Sequence, residues 1–163
     1  MSLDARIEAV GERVAAKLIA RGETLALCET AAGGLASAAL LAVPGASSFF
    51  VGSAVAYSRK SRRALLDLRG VDVEGFRPMS EEMGLAFAAR TRERMEAHWG
   101  LAELGIAGPS GSPYGGPAGV ALLAVDGPVR RARRIETGSA DRSANMLAFA
   151  VALLELLEEA LAQ

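Results

Sequence analysis

The stretch Cys28-Glu29-Thr30-Ala31-Ala32-Gly33-Gly34 lies between a short apolar run, Thr24 to Leu27, and a run of good helix formers, Leu35 to Leu41. That order reads as strand, turn, helix. Adjacent glycines, Gly33 and Gly34, let backbone amides approach a ligand with no Cβ in the way. The first turn of the following helix offers unpaired donors and partial positive charge. A phosphate or a developing oxyanion suits such a joint, and a plain tight turn has the same composition. A second feature is Tyr57 followed by Ser58-Arg59-Lys60-Ser61-Arg62-Arg63. Cations this dense at the end of a strand suit a phosphate or carboxylate. A solvated helix face also accounts for them. The third feature is the loop Gly108 to Pro117, which contains Ser110 and is Gly-rich, as ligand loops and flexible linkers both are. With one His and one Cys in the chain, no His/Cys metal site is expected.

The elements that must position these residues follow from periodicity. Ile7, Val10, Val14 and Leu18 recur at helical spacing over residues 3–20, with Ser2 as the expected cap and Gly22 as the stop. The helix after Gly34 must end before Pro44. Phe49 to Tyr57 reads as a strand in which Gly52 marks a bulge or a close neighbour. A short helix starts near Ser58. Ser80 opens a helix expected to reach about His98, with Met83, Ala86 and Phe87 inward. No chemical role is assigned to His98. Leu101 to Ala107 is a third strand. Ala118 to Val125 and Val129 to Ile135 form a hairpin about Asp126-Gly127. Arg130, Arg131, Arg133 and Arg134 there fit an edge strand blunted by charge. After Gly138 to Ala140 comes a last helix with Met146, Leu147, Ala150, Val151, Leu154 and Leu157 at helical spacing. Alternating helices and strands with one hairpin predict an α/β fold, a three-layer α/β/α sandwich with a mixed sheet. Ligands of such sheets collect at the carboxyl ends of strands. Thr30, Tyr57 and the Gly108–Pro117 loop all follow strands.

The 163 residues are expected to form a single domain. Apolar residues make up 51% and charged residues 23%, enough to fill a core. A net charge of −1 argues against sequence-independent nucleic-acid binding. Aromatic residues, at 5%, are too scarce for base-stacking platforms. A lone Cys28 fits a reducing compartment, no apolar run is long enough to span a membrane, and the N-terminus does not resemble a signal peptide. A cytoplasmic protein is expected.

Several segments, in this order, resemble one family. Glu29-Thr30-Ala31-Ala32-Gly33-Gly34 is similar to its Glu-Ser-Cys-Thr-Gly-Gly motif, and Val43-Pro44-Gly45-Ala46-Ser47-Ser48 to its Pro-Gly-Ser-Ser turn. Ala56-Tyr57-Ser58 matches its Tyr-Ser step, and Gly105-Ile106-Ala107-Gly108-Pro109 its Gly-Ile-Ala-Gly-Pro signature. Pro117-Ala118-Gly119 resembles its Pro-Val-Gly, and Asp141-Arg142 its Gly-Asp-Arg segment. The family is the C-terminal domain of the competence/damage-inducible CinA proteins. The resemblance implies an α/β/α domain and nicotinamide-nucleotide amidohydrolase activity, in which nicotinamide mononucleotide loses ammonia to give nicotinic acid mononucleotide. No cofactor is expected. Some members carry a further N-terminal domain resembling molybdopterin-binding proteins, which this chain is too short to include.

The family uses a serine nucleophile helped by a lysine and a tyrosine. The resemblance assigns these positions to Thr30, Arg62 and Tyr57, and the serine's Cys-Thr neighbours to Ala31-Ala32. Thr30 keeps a hydroxyl but adds a β-methyl. Arg62 stays protonated and cannot take a proton. Lys60 is two residues away and points elsewhere on a helix unless the turn shifts. Gly116 stands where many members carry lysine. The phosphate-binding face is expected to survive through Gly33, Gly34, Gly108, Ser110, Arg142 and the basic run. The leading expectation is a relative whose hydrolysis is weak or lost while nucleotide binding persists. The alternatives are an active amidohydrolase using Thr30, and a structural or assembly role for the apolar last helix. Expected partners are a small nucleotide like nicotinamide mononucleotide and further copies of the chain, without nucleic acid or membrane.

Overall fold

A computed structural model describes residues 3–113 and 115–163. In chain order it runs α1 (Ala5–Arg21), β1 (Leu25–Glu29), α2 (Leu35–Leu41), β2 (Phe50–Val55), α3 (Arg59–Leu66), α4 (Glu81–Arg94), β3 (Trp99–Ile106), β4 (Val120–Asp126), β5 (Arg131–Glu136) and α5 (Arg142–Leu161). Short 3-10 turns lie at Ala46–Ser48 and Gly70–Val73. The strands form a five-stranded sheet in the order β2-β1-β3-β4-β5. β1 is parallel to β2 and β3, and β4 is antiparallel to β3 and β5. The ends of β1, β2, β3 and β5 therefore meet the start of β4 along one edge of the sheet.

The alternation of side chains along each strand divides the core between two faces. Leu25, Leu27, Leu101, Leu123 and Val125 pack against Val14 and Leu18 of α1, Leu40 of α2, and Phe149, Leu153 and Leu157 of α5. On the other face Cys28, Ala102, Leu104, Leu122 and Ala124 meet Leu66 of α3 and Phe87 and Ala88 of α4. This is the expected α/β/α sandwich with a mixed sheet. Each fully buried Leu or Phe contributes about 1.5–3 kcal/mol, so these layers dominate stability. β4 is buried throughout because it is covered on both faces. β5 forms one edge of the sheet, where Arg130 pairs with Asp126, Arg133 with Glu159 and Arg134 with Glu136. The expected irregularity near Gly52 is a register shift between β1 and β2 at Leu25/Ala26.

Some boundaries differ from the expectation. Ser2 lies outside the described residues, and the cap of α1 is Asp4, which accepts the Arg6 amide at 2.9 Å. α4 ends at Arg94 rather than near His98. The chain turns at Glu96, φ 50°, because buried Trp99 must already pair with Leu25. His98 thus belongs to the turn, where its Nδ1 accepts the Thr24 amide at 3.0 Å. Phe87 is buried as expected, whereas Met83 and Ala86 are half-buried. Gly84 takes the innermost position, since a Cβ there would come within 2.8 Å of Leu122.

Candidate functional site

Two buried glutamates organise the turn after β1. Glu29, the last residue of β1, is fully buried. Its carboxylate accepts the amides of Gly34 at 3.2 Å, Ala36 at 3.1 Å and Ser37 at 3.1 Å, and also the Ser37 hydroxyl. The start of α2 therefore has its anion built in. This corrects the expectation that the Gly33-Gly34 joint presents these donors to phosphate. Gly33 and Gly34 still need the left-handed conformation, at φ 67° and 98°, to make the turn.

Glu103 lies in β3 and is also fully buried. Its Oε2 accepts the Thr30 amide at 2.8 Å and the Ala32 amide at 2.9 Å. Among the described residues, Oε1 has no hydrogen-bond partner. Burial pushes its pKa up to about 7, against the lowering effect of the Ala32 and Thr30 amides; neighbouring Glu29 raises it further and the Thr30 hydroxyl lowers it. Cys28, next to Glu29, is pushed up to about 12 by burial and stays a neutral thiol.

Thr30 is almost buried, at 5% exposure. Its Oγ1 accepts the Gly105 amide at 3.2 Å. Thr30 sits on the floor of a cleft of ≈ 890 Å³ between the sheet edge and the α3–α4 layer. Leu104, Ile106, Met83 and Phe87 give that cleft an apolar base, and Arg59, Arg62, Arg63 and Arg69 stand around it with Tyr57. A capping box, in which Ser58 and Ser61 bond one another's backbone, fixes the start of α3 and so the direction of this basic run. Arg62 donates from Nε to the Ala56 carbonyl at 3.2 Å and lies over Phe87. An adjoining hollow of ≈ 310 Å³ is lined by Tyr57, Gly108, Ser110 and Arg142. There Arg142 donates to the Gly108 carbonyl at 2.6 Å and lies 3.5 Å from the Tyr57 hydroxyl. Asn145 secures the same loop by donating to the Ala107 and Ser139 carbonyls, each at 2.9 Å.

The fold thus brings Thr30, Tyr57 and Arg62 to one cleft and Gly108, Ser110 and Arg142 to its neighbour. Lys60 and Gly33 are exposed, Gly34 is half-buried, and all three lie outside both. Sequence reasoning passed over Glu103 and gave Glu29 no role. A charge inside the apolar strand Trp99–Ile106 was the available signal, since a buried carboxylate needs donors aimed at it. Chemically, the arrangement offers a hydroxyl beside a carboxyl, an apolar base and a cationic rim.

A family model for the CinA C-terminal domain matches residues 7–161. A CinA-like protein of Parasynechococcus marenigrum (strain WH8102) is 40% identical over 115 residues, covering 71% of this chain and 27% of that protein. Another, of Prochlorococcus marinus (strain MIT 9313), is 39% identical over 108 residues, covering 66% and 25% respectively. The chain spans about a quarter of the length of these curated relatives. A CinA superfamily protein of Klebsiella pneumoniae has a similar crystal structure, with TM-score 0.87, 27% identity, and coverage of 96% of this chain and 98% of that one. The competence/damage inducible protein CihA from Agrobacterium tumefaciens gives TM-score 0.86 and 27% identity, covering 100% and 99%. By sequence and by fold, this chain belongs to the CinA C-terminal domain family.

Proposed function

We propose that the arginine-rimmed cleft binds a phosphate-bearing nucleotide of the nicotinamide mononucleotide kind, and that hydrolysis of its amide is slow. The observation that carries this reading is the combination of Thr30 on an apolar floor with Arg59, Arg62, Arg63 and Arg69 around it. The flat faces of the nicotinamide ring fit the apolar floor, and a phosphate matches guanidinium groups, which bind it in a bidentate manner. Hydrolysis is slow because the family's lysine position holds Arg62, which cannot accept a proton. Losing the family's lysine base costs up to the ~10²–10⁴-fold that general-base help supplies. Arg63 and Lys60 provide the test. Arg63→Ala is expected to weaken nicotinamide mononucleotide binding about tenfold, as loss of a charge-assisted bond does. Lys60→Ala, outside the cleft, is expected to leave it unchanged. Equal loss in both variants contradicts the assignment of the cleft as the phosphate site.

A further inference from the structure

We propose that Glu103 accepts the proton of the Thr30 hydroxyl, so that a carboxylate in β3 performs the task for which Arg62 is unfit. The proposal rests on the reading that the cleft receives a nucleotide amide. Four features of the geometry support it. Glu103 is fully buried, and its Oε2 binds the Thr30 and Ala32 amides, which fixes the carboxyl against the turn that carries Thr30. Its Oε1 has no partner among the described residues. The Gly105 amide already donates to Thr30 Oγ1, so the hydroxyl proton is directed to another acceptor. A Cβ at Gly105 would overlap Glu103 Oε1, so the same residue that bonds the hydroxyl also touches that oxygen. Glycine is what leaves room for that carboxyl oxygen beside the amide that bonds the Thr30 hydroxyl.

The groups facing Glu103 leave it free to titrate. Glu29 of β1 is the charged neighbour and disfavours ionisation. Cys28, on the same strand, stays a neutral thiol. β4 sets Leu123 opposite Glu103, and α5 brings Phe149 to Gly105; neither titrates. A carboxyl whose pKa is about 7 divides between base and acid near neutrality, as a group that first takes and then returns a proton must.

The reaction balances without a cofactor. Thr30 Oγ1 bonds to the amide carbon as its proton passes to Glu103. The carbon–nitrogen bond then breaks, and ammonia leaves with the proton returned by Glu103. A water molecule, deprotonated by the same carboxylate, attacks the Thr30 ester, releasing the nucleotide acid and restoring the hydroxyl.

Ammonia release from nicotinamide mononucleotide, measured across pH 5–9 alongside calorimetric binding, tests this. Wild-type protein is expected to show a rate that rises with pH to a plateau, with its midpoint near neutrality. Glu103→Gln keeps an oxygen for the two amides but cannot take a proton. It is expected to lower the rate at least a hundredfold, to abolish the rise and to leave affinity unchanged. Glu103→Asp, one methylene shorter, is expected to be slower than wild type and still to rise with pH; it decides the matter if Glu103→Gln does not fold. An unaltered rate and pH profile in either variant overturns the proposal. Nucleotide binding without ammonia release by wild-type protein also overturns it and leaves the binding reading standing. Absence of both overturns the binding reading itself.

Discussion

Arg62 lays its guanidinium over the Phe87 ring, 5.3 Å from the centroid, while its Nε bonds the Ala56 carbonyl. The position that resembles the family's lysine is therefore a fixed cation seated on the cleft floor. Such a contact contributes about 0.5–2 kcal/mol and holds the side chain where a phosphate or carboxylate can meet it.

Restoring the family's residues should restore its chemistry. Thr30→Ser together with Arg62→Lys is expected to raise ammonia release from nicotinamide mononucleotide above either single change. The gains will not add, because hydroxyl and base act as one unit. If the double variant stays at the wild-type rate, Ala31-Ala32 or the loop limits the reaction instead.

Glu103 also leaves a mark on stability. Its folded-state pKa, about 7, lies above the ordinary value of 4.5. Between those values the folded chain binds more protons than the unfolded one, so this group's contribution falls as pH rises through the window. The slope approaches about 1.4 kcal/mol per pH unit in mid-window. Glu103→Gln removes the effect. Its melting temperature relative to wild type is expected to be higher at pH 8 than at pH 5, and a constant difference refutes the shift.

Glu29→Ala leaves the amides of Gly34, Ala36 and Ser37 without their acceptor. Unsatisfied buried donors cost about 1–3 kcal/mol each, so a loss of at least about 2 kcal/mol is expected in urea unfolding. A loss below half that would mean that another group or water takes over the cap.

Gly100→Ala tests how tightly α4 lies on β3. The new Cβ would overlap the Ala88 carbonyl and approach the Arg92 amide to 2.8 Å, and backbone cannot step aside cheaply. A loss of about 1–3 kcal/mol is expected. A neutral result would show that α4 shifts freely on the sheet.

The elements were legible in the sequence because apolar spacing and punctuation agree: Gly22 stops α1, Ser58 opens α3, Ser80 opens α4 and Asp126-Gly127 turns the hairpin. The strand ends gave Thr30 and Tyr57 their place in the cleft. The destination of the α2 amides was not legible. Donors at a helix start look alike whether a ligand or an internal carboxylate fills them, and Glu29 is adjacent in sequence but reaches forward over the turn. Glu103 was missed for a related reason. Its partners, Thr30 and Ala32, lie in β1's turn, and that contact exists only once β3 pairs beside β1. Arg69 joined the cleft through the 3-10 turn at Gly70–Val73, for which no pattern was evident.

Calorimetry comparing nicotinamide mononucleotide with its dephosphorylated nucleoside is the most direct test of a phosphate-selecting cleft. The arginine rim predicts that the nucleotide binds and that the nucleoside binds at least tenfold more weakly, since removing the phosphate removes the charge-assisted bonds. Equal affinity for the two, or none for either, would contradict the account.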